Sequence, residues 1–211
     1  MRANATEQSL ADFLGALASA SPAPGGGAAA ALCGALAAAL AAMVGRVAAG
    51  RDRSGADATD ALVSSADLLV QRLATLVADD MRAYEGVMEA RRSKEGPDAM
   101  QRALTRATET PLMMAKSSLE VLTLCGRLAP HARPRTASDL GVAAALAWGA
   151  LEAAALTVRA NLAELPDDRF TRTVESELAD MLARAQTTRE QVSGILARAS
   201  PRLTSPFTGL P

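Results

Sequence analysis

Aromatic residues are almost missing from this chain of 211 residues. They make up 2% of it, as one Trp, one Tyr and three Phe, although 49% of the residues are apolar. A core must therefore be built from Ala, Leu, Val and Met. Without β-branched or aromatic runs there is little to make strands, and small apolar side chains favour closely packed helices. With one histidine, His131, and two cysteines, Cys33 and Cys125, the usual metal-ligand spacings and the Cys–His and Ser–His–Asp constellations are excluded. Both cysteines lie in apolar helical contexts, which predicts free thiols in a cytoplasmic protein rather than a disulfide. The formal net charge of −1 gives no strong pull toward nucleic acid or an anionic membrane. Neither a P-loop nor a dinucleotide-binding fingerprint occurs.

What the chain does have is the stretch Ser21–Gly50, SPAPGGGAAAALCGALAAALAAMVGRVAAG. Pro22, Pro24, Gly25, Gly26 and Gly27 predict a tight turn. Ala28 to Gly45 carries no charge and is mostly alanine, the best helix former. A helix apolar on every face is expected to be buried on every face. Its length is near the minimum of about 17 residues for a membrane span, but alanine offers lipid little apolar area, so a buried soluble helix is expected. The stretch starts too late, and after a predicted helix, to be a signal peptide. Its first N–H groups have no intrahelical partner and can meet an anion or a polar ligand edge.

Taken in order, residues 1–5 read as a loose terminus. Leu10, Phe13, Leu14 and Leu17 recur at helical spacing from Thr6 until Ser21-Pro22. The Ala-rich helix follows to about Ala49, with Gly50 as its stop. A long helix over about 55–92 carries Leu62, Leu69, Leu73, Leu76, Tyr84, Val87 and Met88 on one stripe. Asp80 falls in phase with that stripe, whereas Asp79 falls with Arg72, Thr75, Arg82 and Gly86 on the polar face. Pro97 starts the next helix, Pro111 is expected to kink or split it, and Pro130 ends it. A basic loop, 131–136, leads to a nearly uncharged helix, 140–158, with Ser138 as its N-cap and Asp139 in its first turn. An amphipathic helix runs from about Asp167 to Ala199, and residues 200–211 read as a loose tail. The fold class expected is all-α: one domain, residues 1–199, an antiparallel bundle around the Ala-rich helix. Two apolar helices are more than one subunit needs to bury, so a homodimer is expected.

A carboxylate in phase with a core stripe needs a partner or a raised pKa. Asp80 is thus either a candidate general acid–base or half of a buried ion pair. The Gly25–Gly27 turn is either a close-packing helix entry or a backbone surface open to a ligand. Asp139 is either a helix-terminal charge or a ligand contact. Asn161, polar near the end of an apolar helix, is a cap or a binding residue. His131 reads as a surface histidine.

Several segments together resemble the cyclodeaminase/cyclohydrolase family, which processes folates and includes the C-terminal domain of formiminotransferase-cyclodeaminase. SLADFLGALASASPAPGGGAAAALCGALAAALAAMVG (9–45) is similar to its short helix, Pro-Gly-Gly-Gly turn and small-residue helix. ADDMRAY resembles its Asp-x-x-Ala-Tyr/Phe segment and puts Asp80 at the acidic residue. RALTRATETPL resembles its approach to a proline, and TASDLGVAAALAWGALEAAALTVRANL its Ser-Asp segment and the helix ending in Asn-Leu. The resemblance departs at Ala78, where the family usually has a second acid, at Ser93-Lys94-Glu95 in place of Leu-Pro-Lys, and at Thr157 in place of Asn.

The resemblance implies an all-helical homodimer acting on a tetrahydrofolate derivative, with no metal and no prosthetic group. A separate formiminotransferase is a partner it also implies. Two reactions fit. In one, N10 of 5-formiminotetrahydrofolate attacks the formimino carbon and ammonia leaves. In the other, water opens the 5,10-methenyl bridge. Both pass through a tetrahedral carbon between two nitrogens, and one carboxyl group can move the proton. That role falls to Asp80. Pro24, Gly25, Gly26, Gly27, Asp139 and Asn161 are expected to line the pocket, and Arg46, Arg51 or Arg53 to hold the glutamate carboxylates of the folate. The alternative is a non-catalytic protein on the same scaffold that binds a ligand or a partner.

Overall fold

The computed structural model describes residues 9–50, 56–93 and 96–199. Among them are six α-helices and no strand: α1 (Leu10–Leu17), α2 (Gly26–Ala49), α3 (Ala56–Ser93), α4 (Pro97–Leu128), α5 (Ala137–Leu162) and α6 (Arg169–Ala199). A 3-10 turn, Ala129–His131, follows α4. The expected all-α bundle is what forms. The ends read as loose, residues 1–5 and 200–211, lie outside the described residues.

α2 packs between α3 and α5, α4 lies against all three, and α6 covers α4 and α5. The small residues of α2 make this possible. Ala28, Ala31, Ala37, Ala38 and Ala41 have no exposed surface. A Cβ on Gly34 would stand 3.1 Å from both Leu73 Cδ2 and Ser118 Oγ, and one on Gly45 would stand 2.6 Å from Val63 Cγ2. Helix α3 therefore touches the α2 backbone itself. Leu73, Leu122, Leu140, Leu151 and Leu178 fill the space around it and are fully buried. Truncating any one of them to Ala would cost about 2–5 kcal/mol.

Neighbouring helices also correct several expectations. α2 is not buried all round, because Leu36 is 52% exposed. By length and composition α2, α3 and α5 could each cross a membrane, yet 61% of α2's apolar window is buried inside the protein. α1 starts at Leu10 rather than Thr6, capped by Ser9, whose Oγ accepts from Asp12 N at 3.1 Å. It stops at Leu17, short of Ser21-Pro22, as Ala18 N–H closes on Leu14 O and Ala16 O. α4 runs unbroken through Pro111. Ser138 is not the N-cap of α5. That position is Thr136, whose hydroxyl is turned back to Arg133 O at 3.4 Å and so leaves the first turn uncapped by a side chain. α6 starts at Arg169, after Asp168 Oδ1 accepts from Thr171 N at 3.0 Å.

Candidate active site

Three contacts fix how α2, α3 and α4 register. Gly34 meets Leu73 and Ser118, Gly45 meets Val63, and Gly27 meets Asp80. α2 and α3 are thus antiparallel; the Arg72–Glu120 pair and the cluster of Val87 with Leu104 and Ala107 make α3 and α4 antiparallel as well. Two turns along from the Gly34–Leu73–Ser118 contact, roughly 10 Å of helix, Gly27 meets Asp80, and counting back the same seven residues along α4 from Ser118 reaches Pro111.

At that level the glycine turn and the acidic residue are one structure. The turn enters α2 through a cis Ala23–Pro24 bond and buries Pro24. Gly25 is the N-cap, in an extended conformation that any residue can adopt, and it has no side chain to cap with. Asp80 supplies the missing cap from α3, because its carboxylate accepts the Ala28 N–H. A Cβ on Gly27 would lie 2.1 Å from Asp80 Oδ1 and 2.6 Å from Cγ. Only glycine leaves the carboxylate room. At Gly25 and Gly26 an added Cβ would meet nothing within 4 Å. The steric demand of the motif thus falls on buried Gly27, while Gly26 is exposed.

Burial raises the pKa of the Asp80 carboxyl above its ordinary value, and the Ala28 N–H opposes that shift without cancelling it. Asp79, its neighbour, points away and pairs with Arg82. Helical phase separates these two carboxylates correctly. It fails at Tyr84, which keeps the period of the core stripe but is 38% exposed. The cause lies in α2. It begins at the level of Asp80, so one turn further along α3 no longer has α2 to cover it.

Asn161 comes within one turn of the same level. Its Nδ2 donates to Ala107 O at 2.8 Å, from α5 to α4, and Ala107 precedes Pro111 by one turn. The other predicted residues are not brought to this end. Arg46 lies about 28 Å along α2 from Gly27 at 1.5 Å per residue. There it makes two bonds to Asp67, of 2.9 and 2.6 Å. Asp139 is in the first turn of α5, about 33 Å from Asn161 by the same rise. Arg51 and Arg53 lie outside the described residues. Sequence reasoning missed that Tyr84 and Pro111 lie within about one turn of the level of Asp80. For Tyr84 the signal was its place four residues after Asp80, one turn along the same helix.

A groove of about 680 Å³ lies elsewhere, between α3, α4 and α6, lined by Leu68, Arg72, Lys116 and Arg184 among others. Its Arg72–Glu120 and Lys116–Glu177 pairs are exposed and worth about 1 kcal/mol or less each. None of the predicted site residues among the described residues lines it. Among the described residues no three His, Cys, Asp or Glu side chains gather as a metal ion would need. Cys33 and Cys125 are free thiols, and burial pushes Cys125 up to about 12.

The class the fold and site define is an all-helical bundle with a half-buried carboxyl set against a glycine-entered helix. Comparison with known proteins gives the family. Residues 9–180 match the formiminotransferase-cyclodeaminase family, and the chain belongs to it. Methenyltetrahydrofolate cyclohydrolase of Methylorubrum extorquens is 34% identical over 199 residues, spanning 89% of this chain and 95% of that protein. Formimidoyltransferase-cyclodeaminase of Sus scrofa is 33% identical over 209 residues, spanning 92% of this chain but 37% of that longer protein. The crystal structure of formiminotetrahydrofolate cyclodeaminase from Thermotoga maritima superposes with a TM-score of 0.86 at 27% identity, covering 91% of this chain and 97% of that one.

Proposed function

We propose that this chain is a folate one-carbon enzyme, a formiminotetrahydrofolate cyclodeaminase or a methenyltetrahydrofolate cyclohydrolase, with Asp80 as its proton-transfer group. The observation that carries the reading is the contact of Asp80 with Gly27 and the Ala28 N–H. It joins a carboxyl of raised pKa to a helix start whose remaining N–H groups have no capping side chain. Such a carboxyl is protonated in part nearer neutrality than a free Asp and can return the proton it takes.

In cyclodeamination the carboxylate takes the proton released as N10 attacks and hands it to the departing ammonia. In cyclohydrolysis it takes the proton of the attacking water and hands it to the nitrogen that leaves the methenyl carbon. Either use contributes about 10²–10⁴-fold. The N–H groups of Gly26 and Gly27 donate to polar edges of the ligand, and Asp80 remains anchored by Ala28.

The placement of Arg46 leads to assembly. A group about 28 Å from Gly27 along α2 serves the site of the same subunit only with difficulty, whereas a second copy can supply it. We propose a homodimer through the faces where α2 exposes Leu36 and α5 exposes Val142 and Leu156, which are 52%, 49% and 68% exposed. Large exposed apolar patches mark interaction surfaces. The cytoplasm is the compartment we propose, in keeping with the free thiols of Cys33 and Cys125. A separate formiminotransferase would supply 5-formiminotetrahydrofolate.

One assay tests the reading and separates the two reactions. The 5,10-methenyl bridge is the product of cyclodeamination and the substrate of cyclohydrolysis. Its absorbance rises on addition of 5-formiminotetrahydrofolate in the first case, with release of ammonia. It falls on addition of the methenyl compound in the second. Binding of reduced folates without either change supports a non-catalytic scaffold, and absence of binding removes the folate reading.

A further inference from the structure

Proline inside a helix removes one N–H and pushes on the carbonyl four residues earlier. In α4 that proline is Pro111 and that carbonyl belongs to Ala107, which is 8% exposed. A buried carbonyl without a donor is costly. Asn161 Nδ2, from α5, supplies the donor at 2.8 Å. Pro111 and Asn161 are far apart in sequence and meet through one oxygen. The bond also ties α5 to α4 one turn from the level of Gly27 and Asp80.

We propose that Pro111 and Asn161 form a matched lock that fixes α5 against α4 beside the active site, and that Asn161 is a positioning residue. Pro111 opens a carbonyl inside the bundle and Asn161 closes it. The pairing explains why α4 stays continuous through its proline. It also gives a role to the amide in the last turn of α5. One of the two amide N–H groups is engaged in the lock. For its catalytic consequence the proposal rests on the folate-enzyme reading; the lock itself does not.

The test is a double-mutant cycle of Asn161→Leu with Pro111→Ala. Alanine at 111 restores the helical N–H to Ala107 O, so it makes Asn161 dispensable. In the natural background, Asn161→Leu lowers Tm by roughly 2–12 °C, the range for stranding one buried carbonyl in a chain of this size. It lowers kcat by about tenfold or more with KM little changed. In the Pro111→Ala background the same substitution changes neither. Equal losses in both backgrounds overturn the proposal, as does a rise in KM alone, which marks a substrate ligand. Should Pro111→Ala not fold, Asn161→Asp decides. It keeps the shape but sets a carboxylate against the carbonyl, so at neutral pH it must melt below Asn161→Leu. An Asn161→Asp protein as stable as the natural one overturns the lock. The Tm arms need no substrate. Absence of all folate turnover therefore refutes the functional reading without touching them.

Discussion

Gly27 is where the geometry is least forgiving. In Gly27→Ala the new methyl carbon would stand 2.1 Å from Asp80 Oδ1, 2.6 Å from Cγ and 2.8 Å from Oδ2. Favourable contacts lie at about 3.5–4.0 Å, so the carboxylate must retreat by more than about 1 Å. Its way out is rotation toward solvent, which the half-buried position allows at the expense of the Ala28 N–H bond. Overpacking costs about 1–3 kcal/mol, and the escape route keeps the stability loss in the lower part of that range. Catalysis has no such escape, since a displacement near 1 Å costs about 10²-fold in rate. The expected result is a folded protein with turnover reduced about a hundredfold. The measurement is kcat/KM from the methenyl absorbance, with a melting curve beside it. Gly26→Ala is the paired control for stability. Its methyl would enter open space, and loss of glycine freedom should leave it equally stable or stabler by about 0.4–1 kcal/mol. A Gly27→Ala enzyme within about threefold of the natural kcat/KM, less than 1 kcal/mol of barrier, would refute the reasoning.

Asp80→Asn keeps an acceptor for the Ala28 N–H but cannot titrate, so turnover should drop about 10²-fold or more. The same variant tests the pKa sign. Burial raises the native value above the ordinary one, so the native state holds the proton more tightly than the unfolded chain does. The natural protein therefore loses stability relative to the Asp80→Asn variant as pH rises from the unfolded pKa through the raised native one, and the deficit persists above it. Urea midpoints of the two proteins that diverge in the opposite direction would show the carboxylate to be half of an ion pair. Asp79→Asn removes only the exposed pair with Arg82, worth about 1 kcal/mol or less, and should leave turnover intact. Leu36→Glu puts a charge on the proposed interface, and light scattering should find a monomer where the natural chain gives a dimer. A natural chain that is monomeric at micromolar concentration would dismiss the dimer.

The helices were legible because apolar period and small-residue content survive in any context, as α2, α3 and α5 demonstrate. The division of Asp79 from Asp80 was legible for the same reason, being a property of one helix. What escaped reading depended on where another helix starts or stops. Tyr84 keeps the period of a core residue but is exposed, since α2 has already ended its cover there. Pro111 does not break α4, because its orphaned carbonyl finds Asn161 on α5. Arg46 and Asp139 were grouped with Gly27 by resemblance, whereas the antiparallel register sends them to the far end of the bundle. Position along an axis is a relation between elements, and no single stretch of sequence carries it.

The glycines of α2 make that helix a ruler, and the ruler constrains how the gene can change length. Gly27, Gly34 and Gly45 each receive an α3 side chain where a Cβ would stand. One residue inserted between Gly27 and Gly34 would turn the start of α2 by about 100° and shift it by about 1.5 Å. Asp80 would then face a methyl instead of hydrogen, and a different amide. The same insertion in the link between α2 and α3 leaves all three notches aligned and costs only a little loop entropy. Among descendants of this chain that keep the chemistry, insertions and deletions should therefore gather outside α2, while that helix holds its length to the residue.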